Sequence, residues 1–145
     1  MAVTRAAVVR EALEWIGTPF QHAQHCKGRG CDCIGLVIGV FQRLGAIPAN
    51  YAPPGYSQQW HAHKNEELLV ASAHGMGFMD KATDPEPGDL LVFKFGRVCS
   101  HSGIYLGGGE FVHAFFNLSR VVKQPLRGEL QQRMRRVMVA PWVEC

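Results

Sequence analysis

The segment that most restricts the fold is Cys33-Ile34-Gly35-Leu36-Val37-Ile38-Gly39-Val40-Phe41-Gln42-Arg43-Leu44, stopped by Gly45. An apolar run of this length has to be buried, so the rest of the chain must pack around it. Its length and glycine stop favour a helix, while its β-branched residues leave a buried strand open. Read as a helix, it takes Asp32 as N-cap, because a carboxylate there accepts hydrogen bonds from the first free backbone N–H groups. Gly35 and Gly39 then share a face on which another element can pack closely.

The flanking segments supply the layers. Apolar residues from Thr4 to Ile16 recur at helical spacing until Gly17-Thr18-Pro19 ends the pattern. The loop Phe20–Asp32 carries Gly28 and Gly30 together with His22, His25 and Cys26. Pro48–Gly55 reads as an extended connector, and Asn65–His74 as a short helix opened by an Asn cap. After Pro85-Glu86-Pro87-Gly88 the period changes to two. Asp89–Phe95, Ser102–Leu106 and Glu110–Phe115 read as strands, the last two joined by Gly107-Gly108-Gly109 as a hairpin, with a closing strand at Arg136–Val143. Helices first and antiparallel strands afterwards make an α+β domain, N-terminal helices on a C-terminal sheet. At 145 residues the chain fits one domain, 1–145.

Fifteen Lys and Arg against twelve Asp and Glu give a formal charge of +3, too mild for nucleic-acid binding without a basic stripe. The one dense cluster, Arg133, Arg135 and Arg136 beside Lys123 and Arg127, reads as a solvated face. No apolar run is long enough to span a membrane, and charges interrupt the N-terminal segment. The expectation is a protein made without a secretory address, with no membrane and no nucleic-acid partner. Five cysteines form an odd set, so reduced thiols are the default.

Cys33 at the start of a helix would face the positive end of the helix dipole and a fan of free N–H groups. Both favour thiolate and a lowered pKa, and the same N–H groups suit an oxyanion. Such a nucleophile needs a base, and the base needs a partner that fixes its tautomer. His101 and His113 bracket the glycine hairpin. An odd-numbered turn puts both on one sheet face, whereas a two-residue turn or a bulge would separate them. With that geometry His101 takes the thiol proton and His113 orients the imidazole.

Four stretches then resemble the NlpC/P60 cysteine peptidases. They are Trp15-Ile16-Gly17-Thr18-Pro19-Phe20, Lys27-Gly28-Arg29-Gly30-Cys31-Asp32-Cys33-Ile34-Gly35-Leu36-Val37, Pro87-Gly88-Asp89-Leu90-Leu91-Val92-Phe93, and His101-Ser102-Gly103-Ile104-Tyr105-Leu106-Gly107 with Phe111-Val112-His113-Ala114. The resemblance implies a papain-like fold, with Cys33 as nucleophile, His101 as base and His113 as third member of the site. It implies hydrolysis of amide bonds in peptidoglycan stem peptides, commonly next to D-glutamate, with no cofactor. Lys-Gly-x-Gly-Cys-Asp-Cys is similar to versions encoded with phage-tail and gene-transfer-agent genes. That likeness implies a tail-hub or baseplate partner and a virion tail location, acting on the periplasmic wall. Many family members carry Tyr near Phe20, whose ring offers no hydroxyl, so Gln21 or His22 would take over that contact. Phe20, Gln21, His22 and Asp32 are thus the expected positions supporting substrate or oxyanion.

Two other readings compete. His22, His25, Cys26, Cys31 and Cys33 are metal-ligand types, but the close pair Cys31-x-Cys33 is spaced unlike structural zinc sites. A tail module that keeps the fold without cutting is the second, with Phe20 as its one hint.

Overall fold

The computed structural model describes residues 3–51, 68–140, 143 and 144. A first strand β1 (Val3–Thr4) leads into helix α1 (Arg5–Leu13), whose N-cap Thr4 accepts from the Ala7 N–H at 3.1 Å. A small hairpin, β2 (His25–Cys26) with β3 (Gly30–Cys31), forms within the long loop and delivers the chain to α2 (Cys33–Arg43). The apolar run is therefore a helix, and Asp32 is its N-cap, accepting from the Gly35 N–H at 2.8 Å.

The two glycines of α2 have the packing role their spacing implied. A Cβ on Gly39 would lie 2.2 Å from the Trp15 ring, and one on Gly35 would lie 1.9 Å from the Gln24 carbonyl oxygen. Neither position admits a side chain, so Trp15, just beyond α1, and the loop close directly onto the α2 backbone. Helix α3 (Leu68–Gly75) follows; the expected Asn65 cap, like residues 52–55 of the expected connector, lies outside the described residues.

The sheet contains β4 (Met79–Lys81), β5 (Leu90–Phe95), β6 (Val98–Gly107), β7 (Glu110–Phe115), β8 (Arg120–Pro125) and β9 (Met134–Val139). Its order is β4-β9-β5-β6-β7-β8, and every neighbouring pair is antiparallel. Helix α4 (Gly128–Arg133) separates β8 from β9. The closing strand ends earlier than its sequence implied, because Val143 belongs to a separate short strand, β10 (Val143–Glu144), that pairs in parallel with β1.

Alternation along β5 sorts the core into two layers. Leu90 and Val92 join Val8, Trp15, Leu36, Val37 and Val40 under the helices, while Leu91 and Phe93 join Phe111 and Val137 on the opposite face. Both faces of the central strand are thus dry, which is why β5 reads as an unbroken apolar stretch. Among the described residues, no helix is long and apolar enough to cross a membrane.

Candidate active site

The site starts from the clamp at the head of α2. Asp32 Oδ1 accepts from the Gly35 N–H and Oδ2 from the Ala23 N–H, each at 2.8 Å. The Asp32 N–H in turn donates to the Gln24 carbonyl at 3.2 Å. One buried carboxylate therefore satisfies the helix end and pins the turn at Ala23, whose φ of 60° is the left-handed region.

Cys33 is held against β6. Its S–H donates to the Ser100 carbonyl at 3.7 Å, and the Ser102 hydroxyl donates to the Cys33 carbonyl at 3.2 Å. These two serines flank His101. In the ladder Phe93 opposes His101 and Lys94 opposes Cys99, so Ser100 is the extra residue of a β-bulge. Bulges bend a strand and re-aim its groups, and this one turns the Ser100 carbonyl to the thiol.

The two histidines meet on one face, through a hairpin that differs from the expected one. The closing pair is Gly107↔Glu110, a two-residue turn, and a bulge at Leu106 restores the Tyr105↔Phe111 and Ile104↔Val112 pairing. Each irregularity alone would put the histidines on opposite faces; together they cancel. His101 Nε2 then lies 2.7 Å from His113 Nδ1. His113 Nε2 lies 2.5 Å from Gln124 Oε1 on β8. Gly103 makes room for this pairing, since a Cβ there would stand 3.1 Å from that of His113.

Comparisons with known proteins bear on the family and the fold. The family model described as NlpC/P60 family matches residues 17–139. The chain belongs to the NlpC/P60 family. It is 35% identical over 111 residues to Probable endopeptidase Rv2190c of Mycobacterium tuberculosis, covering 76% of this chain and 23% of that protein. It is 32% identical over 115 residues to the Gamma-DL-glutamyl hydrolase of Bacillus subtilis, covering 78% and 24%. The chain thus spans about a quarter of the length of these curated relatives. The crystal structure of the NlpC/p60 domain of peptidoglycan hydrolase SagA superposes with a TM-score of 0.62 at 21% identity, covering 94% of this chain and 99% of that one. The expected α+β NlpC/P60 fold is borne out.

The electrostatics of this NlpC/P60 site correct one expectation. Burial pushes the Cys33 thiol up to about 12, and the nearby Asp32 carboxylate adds to the rise. Hydrogen bonds from Ser102 and from the Ile34 N–H oppose it and lose. Desolvation thus opposes the pull of the helix terminus and favours the protonated thiol over the thiolate expected from its helix position. Burial also holds His101 well below the usual imidazole range, with His113 adding to the effect, and lowers His113 to about 4 although Gln124 pulls it upward. The cause is visible in the rings: Phe93, Phe95 and Phe115 stand 5.5–5.6 Å from His101, and Phe115 stacks on His113 at 4.7 Å. The pair rests neutral.

The remaining expected positions stay on the entry loop. Phe20 is half-buried, edge-on to Phe116 at 5.6 Å, and the Gln21 N–H donates to the Cys31 carbonyl at 3.0 Å. Gln21 is exposed and His22 half-buried. Asp32 acts through the helix cap. The cysteines and histidines of the loop diverge, with Cys26 exposed and Cys31 buried. Among the described residues, no group of three or more His, Cys, Asp or Glu converges as a metal site. The basic cluster is largely compensated: Arg133 pairs with Glu129 at 2.7 Å and lies over the Phe95 ring, and Arg136 pairs with Asp80 at 3.0 Å. Gln124 escaped the sequence reading because its strand, Arg-Val-Val-Lys-Gln-Pro, has charges and a proline where a buried strand would alternate.

Proposed function

We propose that this chain is a cysteine peptidase that hydrolyses amide bonds in peptidoglycan stem peptides, with Cys33 as nucleophile, His101 as base and His113 as the group that orients it. The observation that carries the reading is the seating of Cys33 between the two neighbours of His101 in β6, its thiol on the Ser100 carbonyl and its carbonyl on the Ser102 hydroxyl, with His113 on Nε2 of the His101 ring. Among the described residues the ring itself makes no contact with the thiol, and the reading requires the two to close on substrate. The endopeptidase and hydrolase names of the relatives support the reaction class.

Burial disfavours both thiolate and imidazolium, so proton transfer accompanies attack instead of preceding it. Sγ bonds to the scissile carbonyl carbon as its proton passes to His101 Nδ1, and the Cys33 N–H is the donor for the developing oxyanion, since those of Ile34, Gly35 and Leu36 are already engaged. The imidazolium returns that proton to the leaving amine, giving a thioester. A water then loses a proton to Nδ1, attacks the thioester, and releases the acid and the free thiol. The test is digestion of purified peptidoglycan by the wild type and Cys33→Ala, with the released peptides identified by mass; no wild-type release above the variant would refute the reading.

We further propose that the enzyme works on a phage-like tail, opening the wall for DNA passage, on the likeness of Lys27–Cys33 to tail-encoded members. Purified particles should contain the chain in fixed stoichiometry, and particles bearing Cys33→Ala should attach but deliver DNA poorly. Its presence only in soluble lysate would instead identify a free lytic enzyme.

A further inference from the structure

We propose that Gln124 sets the tautomers of both site histidines, and so leaves the lone pair on His101 Nδ1 that the thiol proton requires. Gln124 is two residues along β8 from Val122, the cross-strand partner of His113, and therefore shares the histidine face of the sheet. Its Oε1 lies 2.5 Å from His113 Nε2. An amide oxygen can only accept, so His113 Nε2 carries the hydrogen. A neutral imidazole has one N–H, which leaves His113 Nδ1 bare. At 2.7 Å from that bare nitrogen, His101 Nε2 must be the donor. The single hydrogen of His101 is then spent on Nε2, and Nδ1 is free to take a proton.

Burial keeps both rings neutral, as their lowered pKa values indicate, so each has one hydrogen to place and the relay transmits a choice made at its far end. Were the amide turned so that its NH2 met His113, every assignment would reverse. His113 Nδ1–H would donate to His101 Nε2, and His101 would carry its hydrogen on Nδ1, with no lone pair there to accept a proton. Gln124 is thus a positioning residue acting through His113, and it bears on catalysis only if the peptidase reading holds.

The test is the ring-nitrogen ¹⁵N spectrum of the full chain, which needs no substrate. The expected result is Nε2–H on both His101 and His113. Gln124→Met, of similar length but with no acceptor, should let His113 populate Nδ1–H, shift a proton onto His101 Nδ1, and lower kcat on peptidoglycan peptides about 10- to 100-fold with KM nearly unchanged. Nδ1–H on His113 in the wild type, or wild-type tautomers in folded Gln124→Met, would overturn the proposal. If Gln124→Met does not fold, the wild-type spectrum still decides. The expected tautomers without hydrolysis would sink the peptidase reading and leave the relay standing; hydrolysis with reversed tautomers would do the opposite.

Discussion

Cys31 and Cys33 stand on either side of Asp32, both are buried, and burial lifts both thiols to about 12 with the same carboxylate contributing. They differ in what they touch. Cys31 is locked in β3, opposite His25 and bridged to Phe20, whereas Cys33 begins α2 and meets the backbone around His101. Thiol acidity at rest therefore does not separate the two cysteines; contact with the histidine strand does.

Substitution should break the pair apart most visibly. Cys33→Ala is expected to lower turnover by several orders of magnitude, on the scale seen when a triad nucleophile is removed. Cys31→Ala should keep turnover per folded molecule within about twofold and lower the melting temperature, as an ordinary core truncation does. Equal losses in a peptidoglycan digestion assay would erase the distinction. On the histidine side, His101→Ala should be nearly inactive and His113→Asn partly active, since removing a base is worse than removing the group that orients it. Wild-type turnover by a folded His101→Ala would show the base to be elsewhere.

Acid should expose the cost of keeping His113 neutral. Its folded pKa of about 4 lies below the ordinary 6.5, so between these values the unfolded chain binds the extra proton. Stability present above the ordinary value is then lost as pH falls from about 6.5 towards 4, by about 3 kcal/mol from this residue. Urea midpoints at pH 7 and pH 5 should separate more in the wild type than in His113→Asn. A variant as acid-sensitive as the wild type would place the titration on another group.

Alkylation sharpens the comparison further. In the ligand-free protein at pH 7, iodoacetamide should label exposed Cys26 before Cys33, and Cys33 before the fully buried Cys31. Faster labelling of Cys33 than of Cys26 would mean that the helix end outweighs burial after all. The smallest effect is expected from Asp32→Asn, which removes a charge that raises both thiols and should speed Cys33 labelling a few-fold. It also loses the acceptor for one of two clamp hydrogen bonds, for about 1 kcal/mol of stability.

The local parts of the site were legible in the chain because their causes are local. Asp32 caps α2 because the cap lies one residue before the first helical turn, and Gly35 and Gly39 admit close neighbours because helical spacing puts them on one face. Strands β5 and β7 were readable from their period, and the edge strands β4 and β8 were not, since few of their residues face a core. The shared face of His101 and His113 was foreseen from an odd-numbered turn, yet it arises from a two-residue turn and a bulge whose effects cancel.

What the sequence by itself determined is the capped apolar helix, the placing of Cys33 at its head, and the two-layer order of helices and antiparallel strands. All of these follow from side-chain periodicity and from hydrogen bonds between near neighbours. Only the tertiary structure decided that burial favours the protonated thiol, that Ser100 and Ser102 hold Cys33 against β6, and that Gln124 completes the histidine chain. Desolvation depends on what covers a group from every side, and contacts between strands depend on register, so neither is written in any one segment.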